Sequence, residues 1–236
     1  MLPRLQHLIT VLPWQDWAAL ALFVFGWIGY AQFASRRARV ERTLLSSTNH
    51  YRRLWMLQVT HRDQRIVDAA ITQNLASSPS FWASTTILVI GGLLAVLGTT
   101  EKASEFVRDL PFAVRTSLLV LDIKLIALLS VFVYAFFRFT WSMRVYSFGA
   151  ILVGAAPNVD VFNEGGADRQ EFGDRAGKLM GMAAESFADG LRAYYMSFAV
   201  IAWLVSPLAF ALGTLAVHWI LYRREFRSDV LAILRP

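Results

Sequence analysis

The chain has 236 residues, a formal charge of +6, 56% hydrophobic and 17% charged residues, and no cysteine. Ordinary soluble domains are about a quarter charged, so this balance, with seventeen Phe and eight Trp, favours a protein solvated by lipid, where such rings face acyl chains or mark the boundary. The missing thiols exclude a disulfide framework, a thiolate metal site and a cysteine nucleophile.

A helix crosses the hydrocarbon with about 20 apolar residues, and four runs are read as spans. The first is Trp17 to Ala34, uncharged between Asp16 and Arg36, with Trp14 and Trp17 at its outer boundary. Only Arg4 precedes it, whereas Arg36, Arg37, Arg39 and Arg42 follow. That order is expected of an uncleaved anchor with an exported N-terminus, not of a signal peptide.

The connection from Ser35 to Ser80 carries eight Arg against Glu41, Asp63 and Asp68, which places it in the cytoplasm by the positive-inside rule. It is too long for a slack link. A cytoplasmic helix is predicted over 35–78, with Leu54, Trp55, Val59, Ile66 and Ala70 on one side. Anionic lipid and orientation account for the basic surplus, and no nucleic-acid motif accompanies it. His50 and His61 share a helical face but lie about 16 Å apart along it, too far to chelate one metal.

The second span is Phe81 to Thr100, with Ser78-Pro79-Ser80 read as its cap and first turn. Gly91, Ala95 and Gly98 give it a small-residue face for helix packing. The connection Glu101–Arg115 balances three basic against three acidic residues and is free to face outward.

The third span, about 116–137, contains Asp122 and Lys124. A charge at the bilayer centre costs about 2.5–3.5 kcal/mol on insertion scales, so each needs a protein or water partner. They sit about 200° apart around the helix and cannot share one. Arg138, with Phe136, Phe137, Phe139 and Trp141, marks the inner boundary. Trp141–Ala156 continues this span or lies along the interface.

Pro157–Gly166 reads as a loop. Its Asn158, Asp160, Asn163 and Glu164 lack EF-hand spacing. Asp168 with Glu171 opens a second cytoplasmic helix, 168–192. There Gly173, Gly177 and Gly181 recur every four residues; each costs about 1 kcal/mol relative to Ala, which makes sense where another helix comes close, within the subunit or between copies. The fourth run, 193–222, holds Pro207 near its centre and His218 near its end. One span kinked at Pro207 is expected; the alternative is a re-entrant pair of half-helices broken there. Four full crossings put both termini outside, yet Arg223, Arg224 and Arg227 follow the last run. The re-entrant alternative removes that conflict.

The reading is an all-α polytopic membrane helical bundle: one membrane domain, 1–236, with four transmembrane helices and long cytoplasmic helical extensions. The stretch RIVDAAITQNLASSPSFWASTTILVIGGLLAVLG from Arg65 resembles a bacterial and plant membrane family catalogued as domain of unknown function 599 (DUF599). So do KLIALLSVFVYAFFRFTWSMRVYSFGAILVGAAP from Lys124, GLRAYY from Gly190 and LYRREFRS from Leu221. The resemblance covers about Arg36 to Ser228. It implies a multi-pass membrane protein with four predicted spans, and it brings no established activity and no catalytic residues.

The leading functional expectation is a homo-oligomeric pore or ion transport protein of the bacterial inner membrane, its ion unspecified. Asp122, Lys124, Arg138 and His218 would line or support the passage, and the partners are membrane lipids and other copies of the chain. The alternative is a non-conducting scaffold or signalling component that binds a partner through its cytoplasmic helices. A lipid enzyme ranks third, because no catalytic, nucleotide or metal motif is visible. No cofactor, metal or nucleic acid is expected.

Overall fold

A computed structural model describes residues 12–40, 43–100 and 117–234, and these hold eight helices and no strand. They are α1 (Trp14–Val40), α2 (Leu44–Val59), α3 (Ile66–Leu97), α4 (Leu118–Gly154), α5 (Val159–Asn163), α6 (Arg169–Trp203), α7 (Pro207–Phe226) and α8 (Asp229–Leu234). Arg4, Arg42 and the connection Glu101–Arg115 lie outside the described residues. Three helices are long and apolar enough to cross a bilayer: α1 through Trp14–Ala34, α3 and α4.

The chain divides into two compact units. Unit 1 comprises 1–40, 86–134 and 192–224; unit 2 comprises 41–85, 135–191 and 225–236. Unit 1 contains four apolar stretches that are almost uncharged. Within 14–35, 86–100, 117–134 and 193–222 the only Asp, Glu, Lys or Arg residues are Asp16, Asp122 and Lys124. Most remaining charges fall in unit 2.

In unit 1 the expected fourth span is not one helix. Helix α6 stops at Trp203, and α7 starts at Pro207. The Ser206 hydroxyl accepts from the Ala209 amide at 3.0 Å and so caps α7, while Pro207 takes the first helical position, where its missing N–H costs nothing. A Cβ on Gly213 would meet Ala199 Cα at 3.3 Å and Ala202 Cβ at 3.5 Å, so α7 folds back along the end of α6. Trp203 stacks on Phe210 across the break at 4.7 Å, and Phe23 of α1 meets Phe210 at 5.1 Å. The helix pair broken at Pro207 therefore replaces the single kinked span.

In unit 2 the helix expected over 35–78 is interrupted. Helix α2 is opened by a capping box between Thr43 and Ser46 and ends at Val59; residues 60–65 form a turn, and α3 begins at Ile66. The register does not carry across, so Met56 and Val59 are buried while Leu54 and Ile66 are exposed. Helix α3 runs through Pro79, so Ser78-Pro79-Ser80 starts no helix. Pro157–Gly166, read as a loop, contains α5. Asp168 does cap α6, accepting from the Glu171 amide at 2.8 Å.

The glycines of α6 sit against α2 in register. A Cβ on Gly173 would lie 3.0 Å from Leu57 Cα, one on Gly177 2.6 Å from Arg53 Cα, and one on Gly181 3.3 Å from the Asn49 amide group. The paired positions fall four apart on both helices and run in opposite directions, which defines an antiparallel contact with backbone against backbone at Gly173 and Gly177. Met56, Val59, Val145, Ala176 and Met180 fill the core beside it. Helix α8 packs on α2.

Candidate functional site

The intramembrane charges of unit 1 are the first candidates. Lys124 is 2% exposed and Asp16 3%. Lys124 Nζ donates to the Trp203 carbonyl at 2.8 Å, sits 5.6 Å from the Trp203 ring centre, and stands 3.9 Å from Asp16 Oδ1. The Trp203 indole N–H donates to the same Asp16 oxygen at 2.5 Å. The carbonyl that Lys124 uses is freed because α6 ends there. A cation, an anion and an open helix end thus satisfy one another. Removing either charge alone would strand the other in a low dielectric.

Asp122 points elsewhere and accepts from the Thr100 hydroxyl at 2.8 Å. His218 bonds through Nδ1 to the Thr214 carbonyl at 2.7 Å. A carbonyl only accepts, so Nδ1 carries the proton, and Nε2 is left buried without a hydrogen bond. The ring fills the space over Gly26, where a Cβ would lie 3.1 Å from it, and meets Tyr30 edge-on.

Arg138 belongs to unit 2, where it pairs with Asp189. The Arg138 carbonyl accepts from Ser186, and the Ser142 hydroxyl donates to the Ala183 carbonyl at 2.7 Å, so α4 and α6 are clipped together. Phe139, read as a boundary anchor, is fully buried against Trp82 and Phe187 and fills the gap left by Gly190. Phe137 and Trp141 are exposed.

Several arginines of the first connection serve this unit itself. Arg62 and the Trp55 indole both bond Asp68 Oδ1, at 3.0 and 2.7 Å, and Asp68 is fully buried. Arg65 donates to the carbonyls of Ala156 and Pro157 and closes the end of α4. Arg169 of α6 closes the end of α2 through the Thr60 carbonyl, reaches Asn163 and covers the Phe162 ring. These clasps were hidden from a one-dimensional reading, which could see only a basic run.

Of the small-residue faces, that of α6 packs inside the chain. That of α3 lies open among the described residues: Gly91, Ala95 and Gly98 are exposed, and a Cβ on Gly91 or Gly92 would meet none of them within 4 Å. His50 and His61 are exposed, and no group of three metal-ligating residues occurs among the described residues.

Two concavities lie among the described residues of unit 2. One, of about 530 Å³, lies between α3 and α4 and includes Asp63, Arg65, Thr72 and Tyr146; its guanidinium is committed to closing α4. The other, about 420 Å³, lies between α4 and α6, with an apolar floor and Arg175 and Lys178 on it.

Three lipid-length apolar helices among the described residues define an α-helical protein of membrane type. The chain belongs to the family described as protein of unknown function, DUF599, whose model matches residues 18–230. No curated protein and no solved structure matches it.

Proposed function

We propose that this chain is a non-conducting membrane scaffold. Unit 1 is its bilayer anchor, and unit 2 is a helical body in the cytoplasm that binds protein. The carrying observation is that each intramembrane charge has a partner in the same chain: Lys124 with Asp16 and the Trp203 carbonyl, and Asp122 with Thr100. Charges that line a water-filled path are expected to face it, whereas Lys124 and Asp16 are closed off by protein. Unit 2, in contrast, exposes Ile66, Val67, Ile151 and Met182 amid its charges, and clustered apolar surface on a water-facing body marks protein contact.

As a re-entrant pair beside three crossings by α1, α3 and α4, α6 and α7 return the tail to the side of the arginine-rich first connection. Helix α8 lying on α2 supports that arrangement, as does the position of Arg223, Arg224 and Arg227. The test is a photocrosslinker at Ile66 or Met182 in living cells. The scaffold reading expects capture of protein from these positions and none from Leu88. Lipid as the sole product at all three would sink it.

A homo-oligomeric pore or ion transporter is the second reading. The bare Gly91–Gly92–Ala95 face of α3 favours it, because small residues let membrane helices of two copies approach closely. Asp122→Asn and Lys124→Met would then change a measured ion flux in liposomes; a flux that no ion gradient elicits removes this reading.

A further inference from the structure

Unit 2 carries two exposed surfaces of opposite chemistry. One is the groove between α4 and α6, where Phe148, Ile151 and Met182 are exposed along the floor and Arg175 and Lys178 supply positive charge. Lys178 has no ionic partner among the described residues. Arg175 meets only Glu171, at 3.8 Å and with both groups largely in solvent.

The other is a knob where the start of α3 adjoins α5. Asp63 Oδ1 accepts from the Val159 amide at 3.0 Å, and Arg65 holds the Ala156 carbonyl at 2.6 Å, so the two segments form one feature. From it project Ile66, 77% exposed, Val67, 65%, and Val161, 40%. Asp160 and Glu164 flank Val161, are exposed, and have no ionic partner among the described residues.

An apolar groove edged by the solvent-facing cations Arg175 and Lys178 and an apolar knob edged by the carboxylates Asp160 and Glu164 suit each other. Lipid would cover the oily residues of both but gives no reason for the carboxylates. We propose that the groove of one copy receives the knob of a second copy, with Val161 against the Met182 floor and Asp160 and Glu164 toward Arg175 and Lys178. The contact is heterologous, since each copy gives a different surface to each neighbour. Repeated among copies that share one bilayer, such a contact closes a ring when the rotation about the membrane normal divides the circle. The inference names the partner for the scaffold reading and rests on its premise that protein covers the apolar surface of unit 2.

The absence of cysteine gives a clean test. Two differently tagged full-length chains, one with Val161→Cys and one with Met182→Cys, are co-expressed and oxidised in native membranes. The expected result is a disulfide joining the two tags, with neither chain linking to itself when expressed alone. Arg175→Glu with Lys178→Glu on the Met182→Cys chain should lower the yield about tenfold. Asp160→Lys with Glu164→Lys on the other chain should restore it, a rescue that misfolding cannot imitate. A failed mixed disulfide overturns the inference, as does equal self-linking of each chain alone. Failure here, with protein still captured at Ile66 or Met182, removes the ring but leaves the scaffold reading standing; loss of that capture removes both.

Discussion

Ala199 and Gly213 lie side by side: a Cβ on Gly213 would stand 3.7 Å from the Ala199 Cβ. Along one continuous helix, fourteen residues would separate them by about 21 Å. The separation of 3.7 Å falls within the Cβ–Cβ range of a disulfide. The double variant Ala199→Cys, Gly213→Cys should therefore form an intramolecular disulfide in membranes, read as loss of both free thiols by mass spectrometry. Persistent free thiols under oxidation would restore the single kinked span.

The glycines should divide sharply. Gly177→Ala places a methyl group 2.6 Å from Arg53 Cα, and backbone cannot swing aside as a side chain can. Overpacking of this kind costs about 1–3 kcal/mol, so the detergent-solubilised protein should melt at lower temperature. Gly91→Ala meets nothing and should gain up to about 1 kcal/mol from helix propensity. A shift to smaller oligomers on Gly91→Ala would instead place another copy against α3.

The Lys124–Asp16 pair should behave non-additively. Lys124→Met leaves a buried carboxylate with the Trp203 indole as its one donor among the described residues and should cost about 3–5 kcal/mol. Asp16→Asn keeps an oxygen for that indole but leaves the ammonium unbalanced. The two substitutions together should cost clearly less than the sum of each alone, as read by thermal unfolding of all four proteins. Simple addition would mean that the two charges do not act as one unit.

The helical class was legible from hydropathy, because a spanning segment must be long, apolar and internally hydrogen-bonded. The break at Pro207 was harder. Two Ser-Pro pairs occur, Ser78-Pro79 and Ser206-Pro207, with the same local chemistry. Only the second starts a helix, where Ser206 caps and the chain turns back onto Ala199; the first is carried inside α3. Packing decides between them, and packing is non-local.

The same limit applies to the candidate site. Lys124 was recognisable as needing a partner, but Asp16 lies 108 positions away and looked like a boundary charge. The Gly173–Gly177–Gly181 line announced a close neighbour without naming α2. The Gly91–Ala95–Gly98 line, of the same kind, lies exposed among the described residues. Spacing reveals that a face is small; only the fold reveals what meets it.

The central claim is that unit 1 alone is lipid-embedded and that the tail shares a side with the first connection. Single cysteines introduced by Gln64→Cys, Glu164→Cys, Arg227→Cys, Leu88→Cys and Leu212→Cys, treated with a membrane-impermeant maleimide, test it most directly. The first three should stay unlabelled in intact cells and label together once the membrane is opened, while Leu88→Cys and Leu212→Cys resist throughout. Labelling of Arg227→Cys in intact cells, with Gln64→Cys still protected, would contradict the account.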